Sequence, residues 1–202
     1  MIFKVCGMKY EDNIEDLQRL EPDWMGFIFY ERSPRYLADP PDLSEVTAKK
    51  IGVFVDAEEP FIIKKIKTFQ LDGLQFHGIE TPEMCDHYRK RNLIIIKSFS
   101  IDRHFDFTVT FPYEGHCDYF LFDTKGILPG GTGKTFDWSI LDQYRGNTPF
   151  LLSGGIGPQS VEDLKAFNHP QWAGIDINSQ FEIDPGIKNI KLIHNFKYAL
   201  FG

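Results

Sequence analysis

Residues 51–76 read IGVFVDAEEPFIIKKIKTFQLDGLQF, and this stretch decides the fold class. It opens with an almost continuous apolar run at 51–55, which predicts a strand covered by helices on both faces. Residues 58–69 then place Ile62, Ile66 and Phe69 on one side of a predicted helix. A second short apolar run at 73–76 predicts the next strand, so the stretch is typical of a β-α-β unit with parallel strands.

The same alternation of strand and helix recurs on both sides of this unit. One flanking helix opens with Thr81 and Pro82, a capping residue followed by proline in the first turn. The other predicted strands span residues 2–6, 24–29, 93–98, 119–122, 150–153 and 173–177. The other predicted helices span residues 11–20, 81–91, 158–167 and 187–201.

Eight strands and about seven helices in strict alternation predict an α/β fold, a single-domain (β/α)8 TIM barrel over residues 1–202. An open flavodoxin-like sheet needs only about five strands, so eight favour the closed barrel. With 202 residues the barrel is a lean version. Residues 100–117 contain Thr108, Val109 and Pro112, and they predict a short or irregular fifth crossover.

Charge and cysteine usage exclude several classes of partner. Lysine and arginine total 22 against 29 aspartates and glutamates, and the net charge of −7 argues against nucleic acid or an anionic membrane. The cysteines Cys6, Cys85 and Cys117 form no CxxC pair, which is typical of free thiols in a cytoplasmic protein. No apolar run approaches membrane-spanning length, and the histidines show no metal-ligand spacing, so we expect neither a membrane span nor a metal site.

Polar and reactive residues follow the predicted strands, where a barrel of this class builds its active site. The same positions are also ordinary places for turn-forming residues, so position alone does not assign a role. The strand-end set comprises Cys6, Arg35, Asp56, His77, Asp123, Gly154, Gly155, Asp176, Asn178 and Ser179.

Two of these strand ends predict a phosphate site. Gly154 and Gly155 join the seventh strand to a helix, and glycines let backbone N–H groups approach an anion closely. Asn178 and Ser179 follow the eighth strand, and barrel phosphate sites commonly combine these two loops. The sequence GGTGKT at 130–135 is not a P-loop, because that motif needs glycine where Leu128 stands; we expect a mobile or ligand-covering loop there.

Each candidate catalytic residue also has a structural interpretation. A lone strand-end cysteine such as Cys6 is usually a packed core thiol, and Asp123 could be a turn former. Facing each other across a barrel mouth, the two could instead supply a base and an acid. Arg35 is either a solvated loop charge or a bidentate clamp for a carboxylate or phosphate. His77 is either a satisfied strand-end histidine or a site residue.

Eight segments, in order along the chain, resemble motifs of the phosphoribosylanthranilate isomerase family. The resemblance runs nearly from end to end, with NSQFE at 178–182 where the family usually has SSGVE. The segments are KVCG at 4–7, GFIF at 26–29, SPRY at 33–36, VFVD at 53–56, LQFHG at 74–78, Asp123 with GGTGKTFDW at 130–138, SGGI at 153–156 and GIDINS at 174–179.

The resemblance implies an Amadori rearrangement of N-(5-phosphoribosyl)anthranilate, a small phosphosugar, without a cofactor. It implies that Asp123 is the general acid and Cys6 the general base. Arg35 would hold the anthranilate carboxylate, while His77 and Asp176 would bind the rest of the substrate, Asp176 near the sugar hydroxyls. The phosphate ligands implied are Gly154, Gly155, Asn178 and Ser179. We expect a monomer or a homodimer.

Two other barrel enzymes and a binding module are the alternatives. Indoleglycerol-phosphate synthase would need a catalytic lysine with strand-end glutamates, and Lys4 and Lys97 lack such partners in the sequence. A sugar-phosphate epimerase of this type would need metal-binding residues at several strand ends, where His77 is the one histidine. A module that only binds phosphosugars would have no need of Cys6 and Asp123.

Overall fold

Eight parallel strands close into a barrel in the computed structural model, which describes residues 1–124 and 138–202. Each strand pairs with the next along the chain, and the eighth pairs back with the first. The predicted (β/α)8 barrel is therefore confirmed. The strands are β1 Ile2–Cys6, β2 Trp24–Ile28, β3 Lys49–Phe54, β4 Gly73–Phe76, β5 Ile94–Ile101, β6 Tyr119–Thr124, β7 Phe150–Ser153 and β8 Trp172–Ile177.

Helices cover the outside of the barrel. Thr81 caps one of them, because its Oγ1 accepts a hydrogen bond from the amide of Met84 at 3.3 Å. The fifth crossover contains the 3₁₀ helix Phe107–Tyr113, with Pro112 inside it, so the predicted irregular connection is confirmed. The α-helices are α1 Glu11–Gln18, α2 Glu59–Phe69, α3 Pro82–Arg89, α4 Val161–Ala166 and α5 Ile190–Phe201.

The expected strict alternation is wrong at one connection of the described residues, the one between β2 and β3. Four other connections and the segment after β8 carry an α-helix, and the connections after β5 and β6 carry the 3₁₀ helices Phe107–Tyr113 and Trp138–Gln143. Residues 29–48, all of them described, join β2 to β3 without a helix. Pro34, Pro40 and Pro41 lie in this connection, and proline lacks the N–H group that a helix interior needs. The connection instead consists of turns and irregular backbone, and it carries Arg35.

The predicted helices at 158–167 and 187–201 both begin later than expected. Pro158–Ser160 forms a 3₁₀ turn before α4. Residues after β8 form a small antiparallel pair, β9 Glu182–Asp184 and β10 Ile187–Lys188, with Gly186 at a φ of +89° in the turn between them. This pair places residues 182 and 188 beside the end of β8, and α5 starts after it.

Strand alternation divides the apolar residues between two cores. Side chains that point outward from the strands pack under the helices and form the larger core. A smaller cluster fills the inside of the barrel, made of Trp24, Ile51, Ile96, Leu121 and Leu151. These five lie early in their strands, so the barrel interior is apolar at one end, and inward side chains later in the strands are free to be polar. In the part of the chain that the structure describes, no helix has the length and apolar character to cross a bilayer.

Candidate active site

A cavity of about 240 Å³ opens at the carboxyl ends of the strands. It brings together eight of the nine predicted site residues; Arg35 is not among the described residues that line it. Inward-facing positions late in β1, β4, β6 and β8 supply its polar groups, because alternate strand residues share a face. The described lining residues are Cys6, Ile28, Val53, Gln75, His77, Asp123, Ser153, Gly154, Gly155, Ile156, Asp176, Asn178, Ser179 and Gln180.

Cys6 closes β1 and is buried at the cavity wall. Burial raises the pKa of its thiol, and the ammonium groups of Lys4 and Lys188 act in the opposite direction. Gly26 on β2 leaves room for the sulfur, since a Cβ built there would lie 2.6 Å from Sγ. The two positive charges offset only part of the effect of burial and of the Asp176 carboxylate, so the pKa of the thiol stays above its ordinary value.

Lys4 and Asp176 form an ion pair inside the barrel, and Asp176 lines the cavity. Lys4 Nζ and Asp176 Oδ2 are 2.9 Å apart, and the two side chains are almost fully buried. Burial alone would lower the pKa of Lys4, but Asp176 and Cys6 together outweigh it and the pKa is raised. Asp176 Oδ1 is buried and has no hydrogen-bond partner among the described residues, so this oxygen can accept a hydrogen bond from a ligand hydroxyl.

His77 lies between Gln75 and Asp123. Its Nε2 is 3.5 Å from Asp123 Oδ2, and its Nδ1 is 3.3 Å from Gln75 Nε2. His77 and Asp123 are each about one-third exposed towards the cavity, so both can meet a ligand. The predicted acid therefore has the histidine as a neighbour, and Gln75 orients the ring.

Gly154 and Gly155 form the turn after β7, with φ values of +80° and +66°. A Cβ at Gly155 would meet no atom within 4 Å, so the turn presents bare backbone to the cavity. Asn178 and Ser179 lie on the neighbouring loop and line the same space. Gln180, which stands where the family usually has glycine, is not among the described residues with positive φ, so the replacement strains no backbone.

Arg35 lies beside the cavity and is held by Glu182. Its Nε is 2.8 and 3.0 Å from the two carboxylate oxygens, and its Nη2 bonds Oε2 as well. Burial alone would raise the pKa of Glu182, but the hydrogen bonds from Arg35 and Lys188 lower it to about 2. The guanidinium is therefore fixed along one edge, and Arg35 is not the solvated loop charge of the alternative interpretation.

Apart from Ser153 and Gln180, which line the cavity, sequence reasoning missed four polar residues at or beside this site: Lys4, Gln75, Glu182 and Lys188. Two of them carried a signal, because Lys4 and Gln75 stand two positions before Cys6 and His77 and so share their inward face. Glu182 and Lys188 follow the last barrel strand, and no periodic pattern marks them.

One further strand-end residue, Asp56, is not among the described residues that line the cavity. Asp56 braces loops, because its Oδ1 accepts from the amide of Ile79 at 2.7 Å and its own amide donates to Glu80. The expected mobile or covering loop at 130–135 lies outside the described residues.

Known proteins resemble this chain over its whole length. The family model for N-(5'-phosphoribosyl)anthranilate (PRA) isomerase matches residues 3–198. An N-(5'-phosphoribosyl)anthranilate isomerase of Parabacteroides distasonis is 50% identical over 202 residues, covering 97% of this chain and 91% of that protein.

Solved structures of phosphoribosylanthranilate isomerases are similar to this chain in fold. Monomers generated from the dimeric phosphoribosylanthranilate isomerase of Thermotoga maritima share 28% identity with this chain, with a TM-score of 0.81 and full coverage of both chains. A phosphoribosyl anthranilate isomerase in complex with reduced 1-(o-carboxyphenylamino)-1-deoxyribulose 5-phosphate shares 26% identity, with a TM-score of 0.79 and full coverage of both chains. This chain belongs to the N-(5'-phosphoribosyl)anthranilate isomerase family.

Proposed function

We propose that this chain isomerises N-(5'-phosphoribosyl)anthranilate to 1-(2-carboxyphenylamino)-1-deoxyribulose 5-phosphate in tryptophan biosynthesis, with Asp123 as general acid and Cys6 as general base. The observation that carries the assignment is their shared cavity: a carboxyl group and a thiol, from β6 and β1, line one space of about 240 Å³. A proton donor and a proton acceptor on either side of one ligand are what an aldose-to-ketose rearrangement needs.

The reaction begins with ring opening. Asp123 gives its proton to the ribose ring oxygen as the bond from C1 to that oxygen breaks and its electron pair stays on the oxygen. The nitrogen lone pair of the substrate then forms the C=N bond of a Schiff base. Because the substrate supplies this nitrogen, the step requires neither a lysine nucleophile nor a cofactor.

Cys6 acts in the second step. Its thiolate removes the proton from C2, the electrons of that bond form the C1=C2 double bond, and the C=N electrons return to nitrogen. The enolamine then becomes the ketone by loss of the O2 proton and gain of a proton at C1. Lys4 supports the thiolate, because its positive charge opposes the effect of burial on the pKa of Cys6.

The remaining predicted residues bind the two ends and the middle of the substrate. The bare backbone of Gly154 and Gly155, with Asn178 and Ser179, binds the phosphate. Asp176 accepts from a sugar hydroxyl through Oδ1, the buried oxygen that lacks a partner among the described residues. Arg35 binds the anthranilate carboxylate, and His77 lies beside the ribose.

We further propose that residues 1–202 form one domain and that the enzyme works in the cytoplasm as a monomer or a homodimer. The closed barrel supports the single domain. Free thiols at Cys6, Cys85 and Cys117 support a reducing compartment. Size-exclusion chromatography with light scattering distinguishes the two assemblies.

Turnover of freshly generated N-(5'-phosphoribosyl)anthranilate by the purified chain tests the function. We expect the fluorescence of the substrate to disappear at a rate proportional to enzyme concentration, with the ketose phosphate as product. A chain that binds product-like phosphates without consuming substrate would be a binding module instead. A chain that neither consumes nor binds would refute the proposed activity.

A further inference from the structure

Lys188 is a completely buried lysine that links two loops of the site. Its Nζ lies 2.6 Å from Asn178 Oδ1 and 2.7 Å from Glu182 Oε1. None of its side chain is exposed, and only 5% of the Glu182 side chain is. A buried charge is tolerated only where hydrogen-bonding and charged partners compensate for its lost hydration. The Lys188–Glu182 pair meets this condition within the folded chain.

The lysine determines how the amide of Asn178 is oriented. An ammonium group can only donate hydrogen bonds, so the Asn178 atom beside it must be the oxygen. The NH₂ group of the same amide is then the end that remains to donate to a ligand in the cavity that Asn178 lines. Lys188 therefore makes Asn178 a donor, which is the polarity that a phosphate oxygen requires.

Glu182, the carboxylate partner of Lys188, orients the guanidinium of Arg35 in a similar way. It occupies the Nε and Nη2 edge of the guanidinium, and its Oε1 also accepts from the amide of Gly186 at 3.0 Å. A guanidinium has five N–H donors in a fixed plane, so fixing one edge directs the others away from Glu182. The Nη1 side is left to meet a carboxylate.

The two oriented residues meet at Gly7. A Cβ at Gly7 would lie 2.7 Å from Cδ of Arg35 and 2.8 Å from Oδ1 of Asn178. Gly7 also has a φ of +78°, so glycine is required there both for space and for backbone conformation. Arg35 and Asn178 are thus packed against one point and share the Glu182–Lys188 pair as their support.

We propose that Lys188 and Glu182 are positioning residues that hold Asn178 and Arg35 as a preoriented pair of donors for the phosphate and carboxylate ends of one substrate. This inference rests on the proposed function for the identity of the substrate. The Lys188–Glu182 pair orients Asn178 and Arg35 in the free folded chain. Its effect can therefore be measured as ligand binding, without turnover.

Two small anions test the two ends separately on the full chain. The probes are inorganic phosphate and anthranilate, with dissociation constants measured by calorimetry. We expect Lys188→Met to weaken phosphate binding by about tenfold and anthranilate binding by less than about threefold. Glu182→Gln should give the reverse pattern, because it frees Arg35 while Lys188 still holds Asn178.

A matched control separates positioning from general destabilisation. Lys97 is also buried and paired with a carboxylate, Glu80 at 3.3 Å, on the other side of the barrel mouth. Lys97→Met should lower the melting temperature comparably and leave both dissociation constants unchanged. Equal weakening of both anions in all three variants would overturn the proposal, as would unchanged binding in Lys188→Met and Glu182→Gln.

A double-mutant cycle tests whether Lys188 acts through Asn178. Asn178→Ala should weaken phosphate binding by itself, and adding Lys188→Met should then change it by less than about twofold. A full additional tenfold loss would show that Lys188 acts independently and would overturn its role as a positioning residue. These are binding measurements, so they stand apart from a failure of wild-type turnover, which would refute the proposed function instead.

Discussion

Lys4 and Asp176 lie directly opposite each other on β1 and β8, and their Nζ and Oδ2 atoms are 2.9 Å apart. The pair occupies the level of the barrel where the apolar interior ends and the cavity begins. Lys4 also lowers the pKa of Cys6, which lies two residues further along the same inward face, and so opposes the effect of burial on that thiol. One buried ammonium therefore orients a substrate-facing carboxylate and supports the proposed base.

Replacing Lys4 should move the pH profile of turnover to higher pH. The base must be deprotonated, so turnover rises with pH through the pKa of Cys6, which burial raises and Lys4 lowers. Of the other charges that bear on this thiol, Lys188 also lowers its pKa and Asp176 raises it. We expect Lys4→Met to shift the rise of kcat to higher pH by about one pH unit, measured from pH 6 upward past the ordinary thiol pKa of 9.0 for as long as the chain stays folded.

The control for this shift is Lys197→Met, on the outer surface, where Nζ donates to the carbonyls of Leu20 and Glu21. It should leave the profile unchanged. Because Lys4→Met leaves Asp176 buried without its partner, Lys4→Met with Asp176→Asn provides a second variant with no unpaired charge. An unshifted profile in both Lys4 variants would contradict the role of this lysine.

Gly155→Ala should weaken phosphate binding without preventing folding. The substitution places a methyl group in open space at a φ of +66°, so it costs about 1 kcal/mol in backbone strain and intrudes where the phosphate is proposed to bind. Gly115 is matched, with a φ of +79° and equally open space, but lies outside the cavity. We expect KM to rise about tenfold for Gly155→Ala only, and equal KM values in the two variants would contradict the phosphate site.

His77→Asn should lower kcat by about tenfold. The ring contacts Asp123 at 3.5 Å, so its loss changes the environment of the proposed acid as well as one wall of the cavity. His87 forms a comparable pair with Glu59 at 3.2 Å on the surface, and His87→Asn is the control. Steady-state kinetics check this; an unchanged kcat in His77→Asn would leave the histidine without a part in the reaction.

Glu182 should make folding stability depend on pH in the acid range. Its pKa of about 2 in the folded chain lies below the ordinary value of 4.5, so its carboxylate stabilises the fold above pH 4.5 and loses this effect as the pH falls towards 2. We expect Glu182→Gln to lower the free energy of unfolding by on the order of 3 kcal/mol at pH 6 and by less at pH 3.

Urea denaturation at the two pH values measures this difference. The exposed Glu15 provides the comparison, since Glu15→Gln should change the free energy of unfolding little at either pH. A loss in Glu182→Gln that is the same at pH 6 and pH 3 would contradict the lowered pKa.

Sequence patterns predicted the barrel and most of the site because both follow from strand periodicity. Apolar runs located the eight strands within a few residues, and parallel strands must deliver their carboxyl ends to one mouth. Cys6, His77, Asp123 and Asp176 were therefore brought together by position alone. Their chemical roles came from the resemblance to a known family, since position does not distinguish a base from a packed thiol.

The supporting residues could not be predicted, because their partners are set by register and by irregular turns. Lys4 meets Asp176 across the seam that closes the barrel, at a pairing that no single strand specifies. Lys188 lies in a strand of two residues within a segment predicted as helix. Arg35 depends on a crossover that has no helix in the described residues, where prolines override the expected alternation.

The pair Cys6→Ala and Asp123→Asn, measured for turnover of N-(5'-phosphoribosyl)anthranilate, tests the acid-base assignment most directly. The account predicts that each variant folds, binds inorganic phosphate like the wild type, and turns over at least about two orders of magnitude more slowly. Turnover within a few-fold of the wild type in either correctly folded variant would contradict the assignment of that residue.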